Sequence, residues 1–496
     1  MNQRIVILGG GTAGWMAACL FARAWPGAAI TLVESPDIGI VGVGEGSTPQ
    51  LRNFFASLGI AEAEWMPACD ATYKAGIVFA GWSDAPGFAA YTHPFASDVD
   101  VHTEGAFHAA AHARRTGHDV AAHPDRFFLN SRLIAEGAAP IAGEAFPFDA
   151  SYGYHFDAHK VGAFLRRHAA RLGVVHRTAR VDEVAVGADG DVTHLVLADG
   201  EQLAGDVFVD ASGFRGVIAQ QALGVLFLSF ADNLFNDAAV VIATPALDPP
   251  PVHTRATALT NGWAWRIPLT TRTGNGYVYA SRYCTAGDAE AELRAHLGIG
   301  DDVPARHLRM KVGRVADSWR GNCLAIGLAQ GFIEPLEATA LHLVQATVEG
   351  FIQAYRDGGD AAQHRATFNA TIARRYDGVR DYIVAHYRLN RRTDTPYWRD
   401  AAGHDRLSDS LKRLMTCWFT GGDLTAEIAR QDIARYYAPL SWGCLFAGYG
   451  VFPATLAPVP PHDDGIDDSL RRCALNYRPH AAALAALCPN GTDHDA

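Results

Sequence analysis

The stretch RIVILGGGTAGWMAACLFARAW, residues 4–25, restricts the fold more than any other part of this chain. The apolar run from Ile5 to Leu8 has the length of a buried strand. After the glycines, Trp15, Ala18, Leu20 and Phe21 give a helix from about Thr12 its apolar face. Glycine at 9, 11 and 14 fits the spacing GxGxxG. In that pattern the first glycine allows the turn, the second lets a pyrophosphate approach the backbone, and the third lets helix and strand pack closely. The start of the helix, Thr12 and Ala13, then offers free amides to the phosphates. A second strand, AAITLVE, ends at Glu34, twenty residues beyond Gly14, where an acid can bond the ribose hydroxyls of an adenine dinucleotide.

This unit alone does not separate FAD from NAD. GDVFVDASGFRG adds another strand running into a small-residue turn at Asp210, Ser212 and Gly213, and NCLAIGLAQGFIEPLEATALHLVQA adds a third strand, a turn at Gly327 and a helix. Three returns to one nucleotide suit the extended FAD, and with no second GxGxxG there is no evident NADPH site. Residues 85–160 and 220–300 alternate in strand fashion and 345–440 reads mostly helical. The expected division is 1–345, an FAD-binding module with an inserted substrate-side sheet, and 346–496, a mainly helical covering module. LAPVPPHDDG reads as a surface loop.

Composition excludes several classes. Of 496 residues, 42 are basic and 53 acidic, a net charge of −11, and no block of Lys or Arg could follow a phosphate backbone, so nucleic acid is not an expected partner. Eight cysteines lie scattered without CxxC, which points to reduced thiols, no metal site and the cytoplasm. No uninterrupted apolar run is long enough for a bilayer, so no membrane partner is expected.

YKAGIVFAGW, residues 73–82, reads as a buried strand from Ala75 to Ala80 with Lys74 at its entrance. Taken in order, GGGTAGWMAA, GVGEGSTPQL, YKAGIVFAGW, VDASGF, GWAWRIPL and FIEPLEATAL resemble the flavin-dependent tryptophan halogenases over nearly the whole chain. The most specific of these is WAWRIP, in which Trp263, Trp265, Ile267 and Pro268 match the WxWxIP pattern of that family. The resemblance implies an α/β, glutathione-reductase-like, hydroxylase-related FAD-binding module with a β-sheet substrate region and a mainly helical C-terminal module. It implies FADH2 from a separate flavin reductase, O2, and chloride or bromide converted to hypohalous acid, which travels through a tunnel to an aromatic substrate.

By the same resemblance Lys74 holds, or is halogenated by, the hypohalous acid, and Glu337 positions it and accepts the proton lost from the ring. FAD contacts fall on Gly9, Gly11, Thr12, Ala13, Gly14, Glu34, Gly44, Glu45, Val181, Asp210, Gly327 and Leu336. Halide falls on the amides of Thr339 and Ala340, where alanine replaces a family glycine; the added methyl and the stiffer backbone there put the halide preference in question. Substrate contacts fall on His93, Phe95, Trp263, Trp265, Tyr436 and Tyr437. An amine in an apolar tunnel has a depressed pKa, which suits either role of Lys74.

The substrate is expected to be free indole or another compact, electron-rich arene. Residues 406–435, where the tryptophan enzymes place tyrosines and a glutamate around the amino-acid group, contain no tyrosine and only Glu427; Arg391 and Arg392 remain as alternative anchors. Two other readings are a flavin-dependent aromatic monooxygenase, which usually has Gly-Asp where this chain has Gly327-Leu328, and a flavin-binding protein without turnover.

Overall fold

The computed structural model describes residues 3–37, 44–359, 361–454, 456–459 and 464–487. Gly42 and Val43 of GVGEGSTPQL, and Pro460 to Asp463 of the expected surface loop, lie outside the described residues.

The strand Arg4–Leu8 is buried from Ile5 onward, and its two faces enter two different cores. Ile5 and Ile7 join the main core with Trp15 and Phe21 of the helix Thr12–Ala24. Val6 and Leu8 meet Val192, Leu195 and Leu197 of a small antiparallel sheet. A strand covered on both sides reads as a continuous apolar run because neither face reaches water. Around it lie Val175–Thr178, Ala29–Glu34, Val207–Asp210 and Cys323–Ala325, all parallel, with Trp319–Arg320 as an antiparallel edge. The helix Thr12–Ala24 packs against Ala158–Arg171 and Ala340–Gly358.

A second, seven-stranded sheet runs in the order Ala305–Arg309, Ala238–Pro245, Arg272–Tyr279, Gly262–Pro268, His253–Leu259, Gly76–Ala80, Ala90–Pro94. Here the expected strand at residues 75–80 proves to be the second of two. Thr72–Lys74 pairs with Gly153–Phe156 in a separate three-stranded sheet, and Gly76–Ala80 pairs with His253–Leu259 and Ala90–Pro94. The chain changes sheets at Ala75, whose N–H donates to Val252 O (2.8 Å) and whose carbonyl accepts from Phe95 N (2.9 Å). Lys74 is the last residue before that crossing.

Residues 85–160 are less strand-rich than expected. Beside Ala90–Pro94, Ala138–Ala142 and Gly153–Phe156 they form the helices Glu104–Arg115 and Leu129–Glu136. In the first of these the buried residues are Phe107 and Ala111, four apart, a helical spacing hidden among alanines and histidines. Residues 220–300 hold the expected strands and close with the helix Ala286–Leu297, capped by Thr285 Oγ1 accepting from Asp288 N (3.2 Å).

The C-terminal part is helical as expected: Ala362–Leu389, Pro396–Gly403, Asp409–Phe419, Leu424–Gln431 and Pro439–Gly448 follow Ala340–Gly358. That last helix runs unbroken through residues 345 and 346, and its Val344, Val348 and Phe351 share one apolar core with Trp15, Tyr382 and Trp442. Among the described residues no helix is long and apolar enough to cross a membrane, and none of His, Cys, Asp or Glu cluster as a metal site.

Candidate active site

Three loops meet where the glycine pattern places the nucleotide. Gly9 has φ +124°, and a Cβ there would lie 2.2 Å from Ala211 O, so the first turn touches the turn after Asp210. A Cβ on Gly14 would fall 2.0 Å from Gly9 O, and one on Gly327 (φ +58°) 2.9 Å from Ala13 Cβ. Beside Gly11, by contrast, a Cβ would meet nothing within 4 Å. Gly11 is also the N-cap of the helix Thr12–Ala24 and offers no capping side chain, so the first amides of the helix keep no side-chain acceptor. Glu34 closes the cradle: Oε2 lies 3.0 Å from His176 Nε2, and the side chain passes over Gly10. Open space, uncapped amides and a carboxylate at the strand end fit an adenine dinucleotide.

Other expected cofactor residues take different postures. Asp210 is fully buried and turned into its own loop, accepting from Ser212 N (3.0 Å), Ser212 Oγ (2.5 Å), Ile218 N (2.8 Å) and Ala219 N (2.8 Å), so it shapes the turn from behind. Thr12 Oγ1 donates to Ala158 O (3.3 Å). Gly44 has φ +112°, and burial with nearby Asp157 lifts the Glu45 carboxyl to about 7. Val181 opens the strand Val181–Val186, and Leu336 is buried in the turn before Glu337.

Lys74 is 0% exposed, so its ammonium does not snorkel to water. Its Nζ donates to Ser47 O (3.2 Å) and stands 5.4 Å from the centre of the Phe95 ring. Burial lowers its pKa to about 7, against a smaller pull upward from the charge of Glu337. A Cβ built on Gly46 would lie 3.3 Å from that Nζ, 3.4 Å from Thr254 Oγ1 and 3.7 Å from Ala338 Cβ. The glycine thus lets the lysine, the second sheet and the turn before the long helix converge.

Glu337 ends the short turn Pro335–Glu337 and is 4% exposed. His93 Nδ1 lies 3.0 Å from its Oε2, and His386 Nε2 lies 3.0 Å from its Oε1. Burial opposes the charged form, but the two imidazoles outweigh it and hold the carboxyl down at about 2. Each imidazole is braced from behind: His93 Nε2 lies 2.9 Å from Ser441 Oγ, and His386 Nδ1 lies 2.7 Å from Tyr449 Oη. An ionised carboxylate only accepts, so the facing nitrogen of each imidazole donates its N–H to Glu337, and the nitrogen behind it meets a hydroxyl. His93, expected as a substrate contact, is 6% exposed on the strand Ala90–Pro94.

The backbone after Glu337 differs from expectation in one respect. Positive φ falls on Ala338 (φ +55°), not on Ala340, which is the first residue of the helix Ala340–Gly358. The backbone restriction expected from alanine at 340 therefore does not arise. Thr339 is the N-cap and supplies no side-chain cap, which leaves the first helical amides open to an anion.

Trp263 and Trp265 project to one face with ring centres 6.1 Å apart, Trp265 lying over Gly276. Trp263 Nε1 donates to Glu334 Oε2 (3.1 Å), which also accepts from Asn236 Nδ2 and Tyr387 Oη (2.8 Å each). Tyr437 stacks on Tyr382 at 3.6 Å, whereas Tyr436 packs over Gly378 near Arg375. Glu427 accepts from Arg430 and Gln431. Arg391 donates to Gly450 O (3.2 Å), and Arg392 pairs with Asp394. Sequence reasoning missed His386, Tyr449, Ser441 and Glu334. The one signal for His386 is a histidine inside the apolar run YIVAHY.

A dinucleotide cradle joined through buried strands to an amine and an ionised carboxylate places the chain among the flavin-dependent oxidoreductases, and its core architecture is glutathione-reductase-like. The chain belongs to the tryptophan halogenase family: the family model for tryptophan halogenase matches residues 4–463. It is similar to tryptophan 6-halogenase SttH of Streptomyces toxytricini, 39% identical over 83% of this chain and 83% of that protein. Tryptophan 7-halogenase RebH of Lentzea aerocolonigenes is 34% identical over 94% of each. The solved flavin-dependent halogenase of Xanthomonas campestris has a TM-score of 0.84 at 34% identity, over 99% of each chain.

Proposed function

We propose that this protein halogenates a small electron-rich aromatic, free indole or a simple indole derivative, using FADH2, O2 and chloride or bromide, with FADH2 delivered by a separate flavin reductase. The observation that carries the reading is the solvent-free Lys74 beside a Glu337 carboxylate clamped by two imidazoles. Bound reduced flavin, with O2, supplies the oxidising equivalents that turn halide into hypohalous acid. The open amides at Thr339 and Ala340 hold the halide. Lys74, partly unprotonated near neutral pH, receives or hydrogen-bonds the hypohalous acid in a place where water does not compete. As the ring forms its new carbon–halogen bond, the proton it loses passes to Glu337, which must be ionised to take it.

The named relatives act on tryptophan, and tryptophan demands partners for its ammonium and carboxylate, since burying either unpaired costs several kcal/mol. Here Glu427, Arg391 and Arg392 are all engaged with protein groups, which supports a substrate lacking the amino-acid moiety. The test is turnover with reduced FAD, bromide and equimolar indole and tryptophan, read by mass spectrometry. Bromoindole should predominate. Predominant bromotryptophan overturns the substrate but not the chemistry; hydroxylated product points to a monooxygenase, and no product to a flavin-binding protein.

A further inference from the structure

On the face of the seven-stranded sheet turned away from Trp263 and Trp265, a cavity of about 210 Å³ is lined by Pro251, His253, Arg255, Arg266 and Pro268. Alternation puts these side chains there. Along His253–Leu259 the buried Thr254, Ala256 and Ala258 face the core, so His253 and Arg255 project from the opposite side. Arg255 stands directly across the antiparallel ladder from Arg266, so the two guanidiniums share a face. Like charges so placed repel. Neither arginine forms an ion pair with a carboxylate among the described residues, and burial, then the like charge of Arg266, lowers the pKa of Arg255.

The surroundings add imidazoles rather than opposing charge. His253 Nδ1 is buried without a hydrogen-bond partner, and burial with the two guanidiniums and His480 keeps the ring neutral, its pKa at about 4. From the helix Ala286–Leu297, His296 faces the same arginines. Glu292, whose charge reaches His296, accepts from Thr260 N (2.8 Å) and Thr260 Oγ1 (2.5 Å). A chain of net charge −11 thus holds two uncompensated guanidiniums side by side at a concavity.

We propose that this cavity is a binding site for a phosphate monoester dianion, separate from the glycine-lined cradle. Two fixed positive charges match the charge of the dianion, and guanidinium forks match its oxygens bidentately. The imidazole of His253 supplies a neutral donor, and the cavity leaves room beyond the phosphoryl group for a short organic portion.

The test uses the full chain saturated with FAD, so that the cradle is filled, at constant ionic strength and a pH where phosphate is dianionic. Inorganic phosphate is compared with acetate. Phosphate should raise the unfolding temperature saturably and protect Arg255 and Arg266 from phenylglyoxal, mapped by mass spectrometry, and acetate at equal concentration should do neither. Arg255→Gln and Arg266→Gln should each weaken the phosphate response by roughly tenfold or more, the scale of losing one charged hydrogen bond. Three outcomes overturn the proposal: no protection of the two arginines, equal protection by acetate, or an unchanged phosphate response in the variants. Should a variant fail to fold, the protection map of the unsubstituted protein decides.

Discussion

An amine without solvent contact is stable in a fold only if the fold tolerates its charge or removes it, and Lys74 is on the removing side. Its pKa in the folded chain is about 7 against an ordinary 10.5. Between those values the unfolded chain holds a proton that the folded chain does not, so stability rises with pH across this window. Lys74→Met should flatten that slope, as measured by urea unfolding between the two values. Glu337 acts in the same sense in a more acidic window. Held at about 2 against an ordinary 4.5, it stays ionised while the unfolded chain takes up a proton, so its contribution is present above the upper value and lost as pH falls toward the lower one. Glu337→Gln should remove that acid-side loss. In turnover, Lys74→Ala should leave FAD binding and oxygen consumption nearly intact while halogenated product collapses; product at the original rate would return the lysine to packing alone. Glu337→Gln should lower turnover by about 10²-fold, the scale of losing a positioned base, and the amide also obliges one imidazole to change tautomer.

At the scale of elements, the glycine turn is the part with least freedom. A methyl on Gly14 would meet Gly9 O at 2.0 Å, a backbone atom that cannot step aside. Gly14→Ala should therefore push the helix Thr12–Ala24 off its strand and weaken FAD binding by about tenfold or more, the scale of an overpacked contact, as read by flavin fluorescence titration. This turn was legible in the sequence because its geometry is set locally, by residues that few alternatives can replace. The third return, from Cys323 into the helix Ala340–Gly358, was legible for the same reason. Elsewhere the controlling contacts are distant. The break at Ala75 depends on Val252 and Phe95, and the partners of Glu337 come from residues 93 and 386. No local pattern encodes such pairings. The helix Glu104–Arg115 was obscured for a different reason: its inward face is only Phe107 and Ala111, too small a stripe to override the alternation around it.

The whole molecule is tied together by the helix that follows the turn carrying Glu337. Division of the chain at 345 cuts Ala340–Gly358 within its second turn and strips Val348, Phe351 and Ile352 from the core they share with Trp15 and Phe21. Each such side chain stabilises by about 1.5–3 kcal/mol when buried, and a domain as a whole is stable by only about 5–15 kcal/mol. Losing three of them, and the aromatic layer of Phe351 against Phe21, Trp25 and Trp319, removes a large share of that margin from the nucleotide-binding part. The helical part fares no better alone, because His386 and Tyr382 lie against the strands that carry Phe79 and His93. Residues 1–345 expressed by themselves should be unfolded by circular dichroism and protease-sensitive. The full chain should unfold in one calorimetric transition that saturating FAD moves upward as a unit, since a ligand bound to a cooperative fold stabilises all of it. Two separate transitions, only one of them shifted by FAD, would show that the sheet region and the helices are independent bodies that happen to touch.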